Sequence, residues 1–400
     1  MLKKIPISDL CIGMYIDKFD GNWLKHPFWK TSFKLTTDKD LKTIKKSEVT
    51  HLWIDTSKGD DIKSQTTPAS EETPNASTPP SPDKEKPVKV TLEKEIKAAQ
   101  ETLSRAKQAT MDMFKEARMG NTISVADISP LVDEISASVS RNPSAMICIT
   151  RMKTKDDYTY LHSVAVCALM IALGKQLNYK GDIHSLGMAG LLHDVGKMAI
   201  PEVILNKPGK LTDEEFEIVK SHPLRGWEML KENGETDEVA MDVCLHHHEK
   251  MNGQGYPDKL SGENISLVAR MGAICDVYDA ITSDRSYKKG WEPAESLKKM
   301  AEWQDGHFDN DVFKAFVKTI GIYPTGTLVK LKSGRLGVVT DQTEKTLLSP
   351  IIKTFYSCSS RSPIPPKIIN LSNSQETIES VEDPEKWGFD RQHLMNIINP

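Results

Sequence analysis

Five histidines and two aspartates are the residues of this chain best placed to do chemistry together: His162, His193 with Asp194, His222, His247 with His248, and Asp276. Eight of the eleven histidines fall between His162 and His307, and the groups are separated by 25 to 31 residues, about one helix plus one connection each. A helical bundle with that spacing can bring one or two side chains from each helix to a shared point. The donors are imidazole and carboxylate without thiolate, and the set is too rich for one tetrahedral zinc. It suits two divalent ions sharing a carboxylate, with iron, manganese, cobalt or zinc admissible. Two such ions about 3.5–4 Å apart can activate a bridging hydroxide and stabilise in-line displacement at phosphorus. Phosphoester hydrolysis is therefore the expected chemistry.

Taken one at a time, these residues have blander readings. His162 sits on the apolar "YLHSVAVCALMIAL" and reads alone as a core histidine bonded to a carbonyl. His222 precedes Pro223, which disfavours helical geometry and allows simple punctuation between helices. "HHH" at 246–248 could be a solvated helix end. Together they point further: "HDVGK" (193–197) lies directly behind the apolar "LGMAGLL", and a buried charge there needs a partner or a metal.

The elements that must position these residues are mostly helices. From about residue 121 to 323 the pattern is helical almost throughout, read as six to eight helices in one bundle. "KLTDEEFEIVK" opens with a capping box from Thr212 to Glu215, and Ser266 caps "ISLVARMGAICDVYDAI". Upstream, 91–120 carries Leu92, Ile96, Ala99, Leu103, Ala106, Thr110, Met113 and Ala117 at alternating spacings of 4 and 3, a heptad seam. Two readings stay open for it: a helix laid against the following domain, or a parallel homodimer stalk (92–117). Residues 1–60 read as a small β-containing domain, from "MYIDKF", "SFKL" and "THLWIDT". Residues 61–90 read as a flexible Pro/Ser/Thr linker, with six prolines between Ser64 and Pro87. Residues 324–400 read as a β-rich extension, with "TLVKLKSG", "RLGVVT" and "IIKTFY" as strands and Gly334 and Gly337 at turns. The fold class expected is mainly α.

A net charge of −4 gives no reason to expect bulk nucleic acid as a partner. The six cysteines are scattered without a C-x-x-C pair, which suits reduced thiols and a cytoplasmic protein. The most apolar run, "VAVCALMIAL" at 164–173, is half the length of a membrane span.

Three stretches carry a resemblance: "HDVGKMAIPEVILNKPGKLTDEEFEIVKSHP", "HHEKMNGQGYP" and "ICDVYDAITSDRSYKKG". Together they resemble the HD-GYP family, a branch of the HD-domain metal-dependent phosphohydrolases, over about Ser124 to Gly321. Residues 3–58 also look like the small domain of unknown function often found ahead of HD-GYP domains. The resemblance implies an HD-type helical bundle hydrolysing cyclic di-GMP to a linear dinucleotide (pGpG) or to GMP. It implies two divalent ions, iron or manganese in the first place. One would take His162, His193, Asp194 and Asp276; the other would take Asp194 as bridge, with His222, His247 and His248. Asp194 and Lys197 are then the catalytic pair, with Lys197 facing a phosphate or the metal-bound water. Arg285 and Lys288 match positions that hold substrate phosphates. Tyr256, in the loop "GYP", takes a base-contacting or loop-shaping role.

Two departures stand out. Tyr158 occupies the position where some members carry a glutamate for a third metal, which favours two metals. Asn252 replaces the aspartate that commonly opens the GYP loop. Three functions follow: a cyclic di-GMP phosphodiesterase, a sensor or scaffold that binds the nucleotide or signalling proteins without turnover, or a phosphodiesterase for another cyclic dinucleotide. Intact ligands favour the first.

Overall fold

The structure is a computed structural model, and it describes residues 2–19, 33–36, 38–45, 51–60, 89–151, 158–235, 237–283, 289–343 and 346–399. Most of the expected linker lies outside the described residues, as do Arg285 and Lys288. The chain divides into two compact units, Met1–Asp83 and Lys84–Pro400.

The first unit is a four-stranded antiparallel sheet in the order β1-β4-β2-β3, with β1 (Leu2–Pro6), β2 (Tyr15–Phe19), β3 (Phe33–Lys34) and β4 (His51–Asp55). Helix α1 (Asp38–Lys45) lies between β3 and β4 in sequence. Leu52 and Ile54 alternate inward with Ile5, Ile16 and Leu35 to form a small core. Strand β1 is absent from the sequence reading because "LKKIP" buries only Ile5 and shows no alternation.

The second unit begins with α2 (Leu92–Arg118), α3 (Val125–Arg141), α4 (Pro143–Thr150), α5 (Tyr158–Gln176) and α6 (Ile183–Leu192). It continues through α7 (Glu202–Leu205), α8 (Asp213–Val219), α9 (His222–Glu232), α10 (Glu238–His246) and α11 (Leu267–Thr282). Helices α12 (Pro293–Glu302), α13 (Gln304–His307) and α14 (Asn310–Ile320) close the bundle. Among the described residues, twelve α-helical segments thus lie between Val125 and Ile320, more than the six to eight expected. The surplus comes from short pieces such as α7 and α13, which are below the length at which apolar periodicity is visible.

Helix α5 explains the apolar run that is too short for a membrane. It is buried from Leu161 through Gly174, as expected for a helix hydrophobic all round at the centre of a bundle. Among the described residues, no helix is long and apolar enough to cross a membrane.

The two readings of α2 are separated by its burial. Leu92, Ile96, Ala99, Ala106, Met113 and Ala117 belong to the same core as α3, α4 and α5. Glu95, buried within α2, receives two hydrogen bonds from Arg141 (both 2.7 Å) and one from Ser138 Oγ (2.8 Å) on α3. The heptad seam is therefore spent largely inside the chain, which favours the first of the two readings, a helix laid against the following domain. An alanine-rich seam permits close helix approach, and the neighbouring helices of the same chain take it.

The C-terminal part is an antiparallel sheet in the order β8-β7-β6-β5-β9, with β5 (Leu328–Leu331), β6 (Arg335–Asp341), β7 (Ile351–Ser357), β8 (Ser362–Asn370) and β9 (Ile378–Val381). It is followed by α15 (Arg391–Ile398). It is no detached appendage: Leu328, Leu336, Val338 and Phe355 join the bundle core, while Val329, Leu331, Val339 and Ile352 form a second cluster. Strand β8 carries Pro363, Pro365 and Pro366, which hid it from a propensity reading. At the sheet edge these prolines cost few ladder bonds. Gly334 makes the β5–β6 turn with φ 75°, as expected, whereas Gly337 lies inside β6 against Thr354.

Candidate metal centre

The capping signals hold where they matter. Thr212 and Glu215 form the reciprocal capping box of α8, and Ser266 Oγ accepts from Ala269 N (3.0 Å) at the start of α11. Helix α11 then carries Asp276 inward among apolar neighbours. His162 is in the first turns of α5, and His193 and Asp194 follow α6 directly. His222 opens α9 with Pro223 at its first turn, and His247 and His248 follow α10. Close backbone approaches fix these placements. A Cβ on Gly190 would sit 2.7 Å from the Cα of Cys167 in α5, and one on Gly196 would sit 2.0 Å from the carbonyl oxygen of His222. Glycine in "HDVGK" thus lets the His193–Asp194 turn lie against the start of α9.

All seven side chains meet. His162 Nε2 lies 3.0 Å from Asp276 Oδ1 and 3.4 Å from Asp194 Oδ2. His193 Nε2 lies 3.4 Å from Asp194 Oδ2 and 3.8 Å from Asp276 Oδ1. The other oxygen of Asp194, Oδ1, faces His222 Nε2 at 3.3 Å and His247 Nε2 at 3.8 Å. His248 Nδ1 is 3.8 Å from Asp276 Oδ2. One trio is His162, His193 and Asp276 and another is His222, His247 and His248; within each, the ligand atoms lie within 4.8 Å of one another. Asp194, fully buried, stands between them with one oxygen toward each.

The far nitrogens set the tautomers. Nδ1 of His193 donates to the Gly190 carbonyl (2.8 Å), that of His222 to Val219 (2.8 Å), and that of His247 to Val243 (3.0 Å). A carbonyl only accepts, so in each ring Nδ1 carries hydrogen and Nε2 points into the centre, as in metal-binding histidines generally. His162 Nδ1 instead meets the buried Asp279 Oδ2 at 2.6 Å. Asp279 was missed as a member of the site. Its signal was a second aspartate three residues after Asp276, on the same face of an otherwise apolar helix.

Two buried polar atoms, His193 Nε2 and Asp194 Oδ1, have no hydrogen-bond partner. Unsatisfied groups in a core are expensive unless something else satisfies them. With an all-nitrogen-and-oxygen donor set aimed inward, they fit divalent cations. Burial disfavours the charged form of Asp194, but the charges of Lys197 and His193 outweigh it and hold its carboxyl well below the usual range. Asp276 is likewise held down, chiefly by the hydrogen bond from His162 and the neighbouring imidazoles working against burial. Both are thus carboxylates at neutral pH.

Around this centre, Lys197 Nζ donates to Asp194 Oδ2. Tyr256 packs against the His248 ring, with centroids 4.7 Å apart and planes at 30°. Lys220 Nζ, absent from the sequence reading, lies 6.0 Å from the Tyr256 ring centroid. Asn252 serves the loop: its Oδ1 accepts from Gln254 N (3.0 Å), and its own N donates to the Gly306 carbonyl (2.8 Å). Two other cations near Asp276 in sequence are engaged elsewhere, Arg270 with Asp309 (2.8 Å) and Lys289 with Glu385.

An HD-type bundle whose aligned histidines and aspartates converge on one buried carboxylate defines the class, and comparison with known proteins agrees. The sequence matches a domain of unknown function (DUF3391) over residues 2–128 and the HD domain over residues 138–312. The chain belongs to the HD-GYP family of HD-domain phosphohydrolases, enzymes that use divalent metals. It is 51% identical, over 97% of its length and 94% of the relative's, to the cyclic di-GMP phosphodiesterase PA4108 of Pseudomonas aeruginosa. Over 30% of its length and 23% of the relative's it is 41% identical to the 3'3'-cGAMP-specific phosphodiesterase 2 of Vibrio cholerae. Among solved structures, an HDG"Y"P protein from Bdellovibrio bacteriovorus aligns at a TM-score of 0.46 and 16% identity, covering 80% of this chain and 99% of that one.

Proposed function

We propose that this protein is a phosphodiesterase that hydrolyses cyclic di-GMP to the linear dinucleotide or to GMP. The observation that carries the reading is the division of Asp194, one oxygen facing His162 and His193, the other facing His222 and His247. Two ions are proposed. His162, His193, Asp276 and Asp194 Oδ2 would hold one, and His222, His247, His248 and Asp194 Oδ1 the other, with iron or manganese suited to these donors. Such ions supply Lewis acidity at the phosphoryl oxygens and a water acidified enough to attack at neutral pH.

The protein's own residues do the rest. Carbonyl-anchored imidazoles keep their Nε2 lone pairs fixed on the centre, so little reorganisation accompanies reaction. Lys197 places an ammonium beside Asp194 at the edge of the centre, where a phosphodiester oxygen can accept from Nζ. Tyr256 and Lys220 line the adjoining rim. Arg285 and Lys288 are proposed phosphate contacts on the motif alone, since they lie outside the described residues.

The same unit takes in the heptad helix and the C-terminal sheet, so residues 91–400 are proposed to act as one catalytic body, with residues 1–60 as an input domain. The six cysteines are free, in keeping with a cytoplasmic location. A mixed cyclic GMP-AMP is the second reading, favoured by the cGAMP-specific relative.

The deciding experiment is turnover by anaerobically purified protein of measured metal content, given cyclic di-GMP or 3'3'-cGAMP, with products resolved by chromatography. Faster hydrolysis of cyclic di-GMP is expected. A preference for cGAMP would reassign the substrate, and tight binding without product would move the protein to the sensor class.

A further inference from the structure

Behind α11, away from the metal centre, a recess is lined by Ser144, Cys148, Arg151, Tyr278, Pro324 and Thr325, among others. It lies where the end of α4, the middle of α11 and the segment leading into β5 meet. Three hydrogen-bonding atoms in its lining have no partner: Arg151 Nε, Tyr278 Oη and Thr325 Oγ1. All three residues are more than nine-tenths buried, with exposures of 8%, 1% and 6%. Arg151 donates from Nη1 to the Thr325 carbonyl (3.1 Å), and among the described residues no carboxylate pairs with it.

This is an unusual arrangement for a folded interior. An arginine remains charged at any ordinary pH, so it cannot escape the burial penalty by losing its proton. A buried charge normally has an opposite charge beside it. Among the described residues, the two acids whose charges bear on Tyr278 are committed: Asp279 to His162 (2.6 Å) and Glu292 toward Arg391 (3.9 Å). The lining therefore offers one positive charge, an unpartnered N–H and two unpartnered hydroxyls, with no anionic acceptor beside them among the described residues.

We propose that the recess is a binding site for a single small anion of about chloride size. An anion accepts from all three donors and also neutralises Arg151; a water accepts only two and supplies no charge. There is room for one such body and not for a nucleotide. The bound ion ties three pieces of the chain together: Arg151 at the end of α4, Thr325 at the approach to the C-terminal sheet, and Tyr278 on α11. Tyr278 lies between Asp276 and Asp279 in sequence, so the ion braces, from behind, the helix that presents both to the centre.

The test compares metal-loaded full-length protein in chloride and in gluconate, an anion too large to enter, at equal ionic strength. Chloride is expected to raise the thermal midpoint by about 2 °C. Bromide soaked into crystals should give an anomalous peak between Arg151, Tyr278 and Thr325. Arg151→Met should abolish the chloride shift. If that variant does not fold, Tyr278→Phe, which removes one donor without changing shape, should reduce the shift. Equal midpoints in the two salts would overturn the site, as would an undiminished shift in Tyr278→Phe or a recess without a bromide peak.

Discussion

The two ends of the metal centre are made of different materials. At the His162 end, two imidazoles are set among three carboxylates: Asp194 Oδ2, Asp276 and Asp279. At the His247 end three imidazoles gather: His222 and His247 face Asp194 Oδ1, and His248 lies 3.8 Å from Asp276 Oδ2. Proton affinity divides accordingly. Burial pulls His162 down, but hydrogen bonds to Asp194, Asp276 and Asp279 outweigh it and hold the ring at about 10. Burial, and then the charges of His248 and His193, push His247 well below the ordinary imidazole range, and burial likewise lowers His248. The acid-rich end is a cation site by charge, which a proton can occupy as well as a metal. The histidine-rich end has free lone pairs and little negative charge. The difference predicts unequal affinities, with the metal at the His247 end lost first to a chelator.

The largest effect should come from the residue that belongs to both ends. Asp194→Asn keeps the shape but removes the charge from both groups. Turnover and metal content should fall together, by more than the 10–100-fold typical of losing an outer partner. Metal analysis beside the turnover assay checks this. Normal metal loading in Asp194→Asn would show that the two ends do not share this carboxylate.

Next comes a pair of substitutions that should separate the ends. Asp279→Asn takes the carboxylate from His162 Nδ1, and metal affinity at that end should weaken about 10–100-fold. His222→Ala should empty the other end and leave the first loaded. Competition with a graded series of chelators reads both. Equal loss from both ends in each variant would mean that the centre loads as one unit.

A smaller effect is linked to pH. In metal-free protein at neutral pH, His162 holds a proton that an incoming metal must displace, so binding should release protons. Calorimetry in buffers of different ionisation enthalpy measures that release. The same group affects folding. Its folded value, about 10, lies above the unperturbed 6.5, so its contribution to the metal-free fold is complete below 6.5 and fades as pH rises toward 10. Metal-free protein should therefore lose thermal stability on that climb more than loaded protein does.

Much of this centre was legible from types and spacing alone. His162, His193, Asp194, His222, His247, His248 and Asp276 are polar residues where an apolar helix pattern leaves no reason for them, and the structure brings all seven together. The orienting partners were less legible. Three of them are backbone carbonyls, of Gly190, Val219 and Val243, and every residue has one. The packing of α2 was open because an a/d seam has the same period whether its partner is another copy or the same chain. Strand β8 was hidden by its prolines, whose tolerance depends on an edge position that only the finished sheet defines.

Tyr256 gives the smallest effect and the finest division between the ends. Its ring lies on His248, so it can act by holding that imidazole or by meeting substrate at the rim. Tyr256→Phe keeps the ring and should change little. Tyr256→Ala removes a ring contact worth about 0.5–1.5 kcal/mol, equivalent to about two- to tenfold. If the ring positions His248, the loss should appear as weaker metal retention at the histidine-rich end and a lower kcat, with KM little changed. If it meets the nucleotide instead, KM should rise while metal content stays constant. The contact with His248 favours the first outcome, because the end with less negative charge depends more on packing to keep its ligands in place.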